Sequence, residues 1–385
     1  MNRPLIFCFF SLLILNIFSC FGQENSVYEI PFSTEKKLLV FKGKLNGVET
    51  DFAFDTGAAE GIATTKDEHR NGVSRTNSSQ QIIDGNGKLT RLQTVFTKEL
   101  SIGGFTFENV RASINDMQYL YCMNLYLLGA DIIRKLNWEF DFEKMVLKVS
   151  KNSFAVTENM TVIPVIYEYN TPRTKLTLDG VVFKDVLIDI GFTGSMTIPI
   201  TDKKIQNFLE IKRQLGQVSS QLASSFAAAG MSKPSLTETV MIDSLSIDNH
   251  LFKEIEADFK ANTDFKIGLG FFTATCDKVI INNSQKKYYL QLKNKSTFKS
   301  KFPVSVLLVD GKLRVSYVTL SDNVINNNFT INEEVKSING KRASDFVDEC
   351  HFLNWFYLTK WEKLIIQKTN GETVEVLRSL NSNQK

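Results

Sequence analysis

Short apolar runs separated by turn residues fill the chain from Tyr28 to about position 147. Runs of this length, rich in Val, Ile, Phe and Thr, are typical of β-strands. We predict strands at 38–44, 50–54, 94–102, 110–114 and 145–149. Turn residues such as Asn46-Gly47 stand between them. With a single helix predicted near 129–136, this part of the chain is expected to be mostly β.

The same order of features returns between about 161 and 292. An apolar run ends in Asp-Thr-Gly at 55–57 and again in Asp-Ile-Gly at 189–191. An apolar residue followed by glycine comes later in each half, at 128–129 and at 267–268. Nearly constant spacing of matching motifs predicts a duplicated domain. The second half carries extra residues, of which the small and polar stretch 219–229 is expected to be a mobile loop.

A third segment follows a lysine-rich stretch. Its predicted strands are 304–309, 313–318, 364–367 and 374–377, and its predicted helix lies near 343–350. The sharpest local signal is Asn339-Gly340, because Asn-Gly after a strand favours a tight hairpin turn.

The first 22 residues differ from the rest. Arg3 supplies a positive charge, and 5–18 is an apolar stretch of 14 residues with two polar interruptions. That length is short for a membrane span and typical of a signal-peptide core. We predict a signal peptide at 1–22, cleaved before Gln23, with a retained anchor and a lipid anchor at Cys20 as alternatives. Each places the protein in the periplasm or at the cell envelope.

Charge and cysteine content exclude several classes. A formal net charge of +3 is small for 385 residues, and no Lys/Arg-rich run suggests a nucleic-acid partner. Cys122, Cys276 and Cys350 are too few and too widely spaced for a disulfide framework. Buried free thiols are expected, with one bridge left open. No zinc-site spacing occurs, so neither a metal nor a cofactor is expected.

The repeated Asp-x-Gly motif suggests a chemistry. A buried strand would deliver each carboxyl group at its end, and the glycine permits a tight turn and a close approach. If two such loops meet about a twofold axis, Asp55 and Asp189 cannot both ionise readily, so one keeps a proton. The ionised group can then act as general base on a water while the other polarises a carbonyl. Asp55 alone would be interpreted as a turn cap; the repetition favours a catalytic pair.

Residues 55–58 (Asp-Thr-Gly-Ala) and 127–129 (Leu-Leu-Gly) resemble the retropepsin-like (clan AA) aspartic proteases, in a bacterial form with two such domains in tandem. The resemblance covers about 30–292 and is most specific in the first half. It implies a mostly-β fold of two pepsin/retropepsin-like barrels, with Asp55 and Asp189 as the catalytic pair. It also implies residues that support the catalytic loops at Thr56, Gly57 and Gly191.

The resemblance further implies a hairpin flap that closes over the substrate. The matching stretch is 82–87, which puts Ile83, Asp84 and Gly85 against the peptide. A counterpart in the second half is expected near 226–230.

The second half departs from the family pattern. Ile190 stands where the family has a threonine whose hydroxyl group bonds the partner loop, although Thr56 keeps its half of that clasp. Phe192 is bulkier than the residue expected there and is predicted to crowd the carboxyl groups. Neither Ala58 nor Phe192 donates a side-chain hydrogen bond. Fewer donors leave a carboxyl pair less acidic, so we expect activity to peak at mildly acidic to neutral pH, not near pH 2.

The third segment resembles a PDZ domain through 338–341 (Ile-Asn-Gly-Lys) and its order of strands and helix. Such modules bind peptides by adding a strand to a sheet edge. The family's loop for a terminal carboxylate is not recognisable, with 308–311 the nearest stretch. A small packing domain without a ligand is the alternative.

The sequence thus predicts an exported aspartic endopeptidase that acts on peptides or proteins, as a monomer with internal pseudo-twofold symmetry. The alternatives are a peptide-binding protein whose protease fold is catalytically impaired and a structural envelope protein. The predicted domains are a signal peptide (1–22), two protease lobes (23–155 and 156–297) and a small α+β PDZ-like domain (298–385).

Overall fold

The computed structural model describes residues 26–378 apart from 86, 225, 249 and 262. The predicted signal peptide at 1–22, with Cys20, lies outside the described residues. Among the residues that are described, no helix has the length and apolar character needed to cross a membrane.

Strands make up most of the regular structure. In the first half they are β1 (Val27–Ser33), β2 (Val40–Leu45), β3 (Val48–Phe54), β4 (Gly61–Ala63), β5 (Ser74–Ile83), β6 (Leu89–Ile102), β7 (Phe105–Ile114), β8 (Leu125–Leu128), β9 (Asn137–Asp141) and β10 (Val146–Ser150). In the second half they are β11 (Thr161–Pro164), β12 (Ile166–Glu168), β13 (Thr171–Leu178), β14 (Val181–Asp189), β15 (Met196–Pro199), β16 (Val218–Ala223), β17 (Phe226–Ala227), β18 (Gly230–Met231), β19 (Ser235–Ile247), β20 (His250–Lys260), β21 (Lys266–Gly268), β22 (Cys276–Asn282) and β23 (Lys287–Leu292).

The C-terminal segment adds five strands, and helices are short throughout the described residues. The strands are β24 (Val304–Val309), β25 (Lys312–Thr319), β26 (Glu334–Ile338), β27 (Lys363–Lys368) and β28 (Thr373–Leu377). The helices are α1 (Thr65–Asn71), α2 (Gln118–Met123), α3 (Ala130–Ile133), α4 (Lys203–Gln214), α5 (Leu269–Thr275), α6 (Asn323–Asn328) and α7 (Glu349–Leu358), with single 3₁₀ turns at Asn283–Gln285 and Ala343–Asp345.

Each half closes into a barrel. The first runs in the order β2-β3-β8-β4-β7-β6 and closes where β2 pairs with β6. The second runs β13-β14-β21-β15-β20-β19 and closes where β13 pairs with β19. The two orders match strand for strand. The prediction of a mostly-β, two-lobed fold of the aspartic-protease kind is therefore confirmed.

A further sheet joins the two halves. It runs β1-β10-β9-β22-β23-β11, so each half contributes three strands. Phe140 on β9 lies opposite Val279 on β22 across the junction. Phe54, the residue before Asp55, packs edge-on against Trp138 and Phe140 of this sheet, with ring centroids 5.0 Å apart in both cases. Buried aromatic packing therefore anchors the strand that carries Asp55 to the sheet between the lobes.

The C-terminal segment is attached to both halves. Its strand β25 pairs with β16 of the second half, with Val318 opposite Leu222. A disulfide joins Cys122 on α2 to Cys350 on α7, whose Cα atoms are 4.7 Å apart although 228 positions separate them in sequence. The expectation of free thiols is therefore wrong for these two cysteines. Cys276 is free and buried, as expected.

Two local predictions are also wrong. The stretch expected to be a mobile loop, 219–229, contains most of strand β16 and all of strand β17. Strands β19 and β25, on the two sides of β16, supply the pairing that its small residues do not favour by themselves. The helix expected at 343–350 instead spans 349–358, since Asp348 accepts a hydrogen bond from His351 N and caps it there. The predicted turn at Asn339-Gly340 is present, with positive φ at both residues.

Candidate active site

The first carboxyl group stands at the end of β3. This strand runs parallel to β8, and Asp55 N donates to Leu128 O at 3.1 Å. The Asp55 carboxylate turns back over its own loop, where Oδ1 accepts hydrogen bonds from Gly57 N at 2.8 Å and Ala58 N at 3.0 Å. These bonds fix the orientation of the side chain.

The second carboxyl group is built in the same way at the end of β14. That strand runs parallel to β21, with Ile188 opposite Ile267. Asp189 Oδ1 accepts a hydrogen bond from Phe192 N at 3.0 Å, and the residue is 8% exposed.

The two carboxyl groups face each other across two glycines. A Cβ atom placed on Gly57 would lie 2.4 Å from Asp189 Cγ, and one placed on Gly191 would lie 2.2 Å from Asp55 Cγ. Each loop therefore presents its glycine to the carboxyl group of the other loop. Any larger side chain at either position would force the pair apart. The structure thus brings Asp55 and Gly57 of the first loop next to Asp189 and Gly191 of the second. Equivalent residues of the two loops are 134 positions apart in the sequence.

Burial and mutual repulsion change the acidity of the pair. Burial has the largest effect on the pKa of Asp55, the negative charge of Asp189 has the second largest, and together they raise it to about 7. The amide hydrogen bonds from Ala58 and Gly57 and the charge of Lys266 act in the opposite direction and are weaker. Asp55 therefore keeps its proton below neutral pH, where it can donate that proton to a substrate oxygen.

Thr56 forms half of a clasp between the loops. Its Oγ1 donates to Ile188 O at 2.7 Å and accepts from Ile190 N at 2.9 Å, deep inside the protein. This is the contact expected from the sequence. Ile190 is buried but carries no hydroxyl group, so it makes no matching contact in return.

Phe192 was expected to crowd the carboxyl pair. Its ring instead lies over Gly194 and Gly268, where an added Cβ would come within 2.3 and 2.5 Å of ring atoms. The two glycines make room for the bulky side chain. Phe192 is therefore accommodated without separating Asp55 from Asp189.

The predicted flap is a hairpin of β5 and β6, and its tip touches a second hairpin. Asp84 Oδ2 accepts a hydrogen bond from Ala229 N at 2.9 Å, and Gly85 lies beside Ala227. The second hairpin, β17–β18, lies where the counterpart was predicted. Ile83, at the end of β5, is 70% exposed and takes no part in this contact.

Sequence reasoning missed Lys266. Its Nζ lies 3.6 Å from Asp189 Oδ2, and the two side chains are 13% and 11% exposed. The available signal was a lysine directly before the Ile267-Gly268 pair, in an otherwise apolar run that had to lie behind the second loop. No group of three or more His, Cys, Asp or Glu side chains within the described ranges could hold a metal ion.

Comparison with known proteins bears on the first barrel. Residues 41–132 match the model of a family described as aspartyl protease. A sequence search of curated proteins found no match. Among solved structures, the chain is similar to the aspartic proteinase from Irpex lacteus, at 10% identity and a TM-score of 0.45, over 71% of this chain and 99% of that one. The family match supports a protease function for the segment that carries Asp55.

Proposed function

We propose that the chain is an aspartic-type endopeptidase that hydrolyses peptide bonds with a water held between Asp55 and Asp189. One observation carries the proposal: each carboxyl group packs against the glycine of the opposite loop, within 2.4 Å of where a Cβ would be. This packing supports a site in which the two carboxyl groups lie next to each other. Two carboxyl groups so close share a proton, as acid–base activation of a water requires.

The proton movements follow from this pairing. The ionised carboxyl group takes a proton from the water as its oxygen attacks the peptide carbonyl carbon, and the protonated one gives its proton to the carbonyl oxygen. The resulting gem-diol then collapses. One hydroxyl proton returns to the second carboxyl group, the first gives its proton to the nitrogen, and the C–N bond breaks. The products are a carboxylic acid and an amine, and the pair is back in its starting state.

The two hairpins support an extended peptide as substrate. Their tips are joined by the hydrogen bond from Ala229 N to Asp84. The second tip is also held by Asn115, directly after β7, whose Nδ2 donates to Ala228 O at 3.0 Å. Hairpins joined at their tips can close over a cleft and exclude water from it. Opening would then be needed for the substrate to enter and for the products to leave.

The C-terminal domain is proposed to recruit or orient the peptide, as a PDZ-like module would. Strand β24 pairs with β25 on one side, and no described strand pairs with its other edge, so a peptide could add there. A cavity of about 770 Å³ lies next to this strand, bounded by Asn115, Met231, Val309 and Glu349 among others. The cavity extends from the end of β24 to the second hairpin. This supports a route for a peptide between the free edge of β24 and the proposed active site.

Export and a monomeric state belong to the same proposal. The Cys122–Cys350 disulfide supports export, because such bonds persist in oxidising compartments. The N-terminal 22 residues would direct it, with a lipid anchor at Cys20 as the alternative. Both carboxyl groups come from one chain with two topologically matched barrels, so a second copy is not needed to complete the site.

Cleavage of a diverse peptide mixture by the mature chain, scanned from pH 3 to pH 8, tests the proposal. We expect cutting that peaks at mildly acidic to neutral pH and disappears in both Asp55→Asn and Asp189→Asn. Peptides that bind the wild type and both variants equally, without being cut at any pH, would instead indicate a peptide-binding protein.

A further inference from the structure

The two halves of the site differ in one charged residue. In the parallel pairing behind the first loop, Ala53 lies opposite Leu127, and in the second half Leu187 lies opposite Lys266. Lys266 and Leu127 therefore occupy equivalent positions, each just before the apolar-Gly pair. Leu127 is buried among apolar side chains. A lysine at the equivalent position makes the electrostatics of the two carboxyl groups unequal.

The strand that carries Lys266 fixes its side chain close to the carboxyl group of Asp189. Its backbone pairs with β14 at Leu187 and with β15 at Thr197, so the strand that carries it is fixed on both sides. The Nζ atom reaches Asp189 Oδ2 at 3.6 Å with little solvent around either group. A cation this well buried needs an anionic partner, and at low exposure the attraction is weakly screened.

Other charges near this position are already accounted for. On the loop that faces Lys266, the charged group is Asp55, and on β15 the residue opposite is the uncharged Thr197. Beyond Thr197, on β20, Asp258 accepts a hydrogen bond from Thr239 Oγ1 at 2.6 Å. On β13, Arg173 lies opposite Leu187 and pairs with Asp185 at 2.6 Å. Asp264, two residues before Lys266, is exposed to solvent. Lys266 therefore acts mainly on the carboxyl pair.

We propose that Lys266 is a positioning residue that keeps the negative charge of the pair on Asp189, so that Asp189 is the base and Asp55 the acid. The inference rests on the proposed function and assigns the two roles within it. A symmetrical pair could exchange its proton between two equivalent forms. Because Lys266 lies beside Asp189, the ionised form of Asp189 is favoured over the ionised form of Asp55. The raised pKa of Asp55 agrees with this assignment.

The pH dependence of cleavage tests the role of Lys266. Lys266→Met removes the cation and keeps an unbranched side chain that is only one atom shorter, so the carboxyl pair ionises less readily. We expect the acid limb of the pH–rate profile to move up by about 1 pH unit or more. Lys266→Arg should keep the limb near its wild-type position. Leu127→Met, at the equivalent position of the first half, is the matched control and should leave the limb unchanged. A Lys266→Met profile that is lower at every pH but has the same acid limb would overturn the proposal.

A second measurement reads the pairing without cleavage. Melting temperatures of wild type, Lys266→Met, Asp189→Asn and the double variant form a cycle. We expect the two substitutions to be non-additive at pH 7, because each removes one member of the ion pair. Additivity at pH 7 would refute the inference even if the wild type cuts peptides. Non-additivity at pH 7 in a chain that cuts nothing would keep the charge pairing and refute the proposed hydrolysis.

Discussion

Replacing Thr56 by valine removes the hydroxyl group that holds the two Asp loops together. Thr56 Oγ1 donates to Ile188 O at 2.7 Å and accepts from Ile190 N at 2.9 Å. The side chain is 1% exposed, so water cannot replace either contact. Valine has nearly the same shape without the hydroxyl group, and it would leave a carbonyl oxygen and an amide buried without partners.

The expected loss of stability follows from those two groups. A buried polar group left without a partner costs about 1–3 kcal/mol, so two cost about 2–6 kcal/mol in free energy of unfolding. No compensation comes from the other loop, since Ile190 has no hydroxyl group to form the reciprocal contact. The effect should also reach the active site, because the clasp sets the separation of Asp55 and Asp189.

Urea unfolding measures the loss, followed by the fluorescence of the buried Trp138 in a chain in which Trp355 and Trp361 are replaced by phenylalanine. Trp138 packs against Phe54, directly before the first loop, so its signal reports on this region. Thr56→Ser is the matched control, because it keeps the hydroxyl group and loses one methyl group, at a cost of about 1 kcal/mol. Equal losses in the valine and serine variants would refute the role assigned to the hydroxyl group.

Three further outcomes are expected. The pKa of Asp55 is raised from its ordinary value near 4 to about 7, so the folded state binds this proton more tightly than the unfolded chain does. The free energy of unfolding therefore falls as the pH rises from about 4 to about 7. Asp55→Asn should therefore flatten the fall in melting temperature between about pH 4 and pH 7. Cys122→Ser removes the bond to Cys350 and should lower the free energy of unfolding by about 2–5 kcal/mol, measured without reductant. Asp84→Ala removes the acceptor of the Ala229 amide and should speed hydrogen exchange at that amide, measured by mass spectrometry.

A specific result would contradict each of these three expectations. Parallel curves of melting temperature against pH for wild type and Asp55→Asn would show that Asp55 titrates alike in the folded and unfolded chain. Reductant should destabilise the wild type and leave Cys122→Ser unaffected; a wild type insensitive to reductant would contradict the role of the disulfide. Unchanged exchange at Ala229 would mean that Asp84 does not hold the hairpin tips together.

The barrels and the carboxyl pair could be predicted because their signals are local and repeated. Strand β3 ends at Phe54, where its apolar run at 50–54 predicts. The Asp-x-Gly motif recurs with a later apolar-Gly pair, which predicts both the strand before each carboxyl group and the strand behind it. Thr56 could be assigned its contact because the resemblance covers its loop specifically.

Other features depend on contacts that no local pattern records. The disulfide joins helices that are adjacent only after the C-terminal domain packs on the first half, 228 positions away in sequence. Strand β16 is rich in small polar residues and is held by β19 and β25 on its two sides. The ion pair between Lys266 and Asp189 needs the exact stacking of β21 beside β14, although the lysine itself stood out in its apolar run.

The most direct test of the account compares the rate of peptide cleavage by wild type, Asp55→Asn and Asp189→Asn at the pH optimum. Acid–base catalysis by a positioned side chain contributes about 10²–10⁴-fold, so each variant should lose at least about 10²-fold in kcat. Similar losses in both variants would support a shared water and a shared proton. A variant that cleaves at the wild-type rate would contradict the two-carboxyl mechanism.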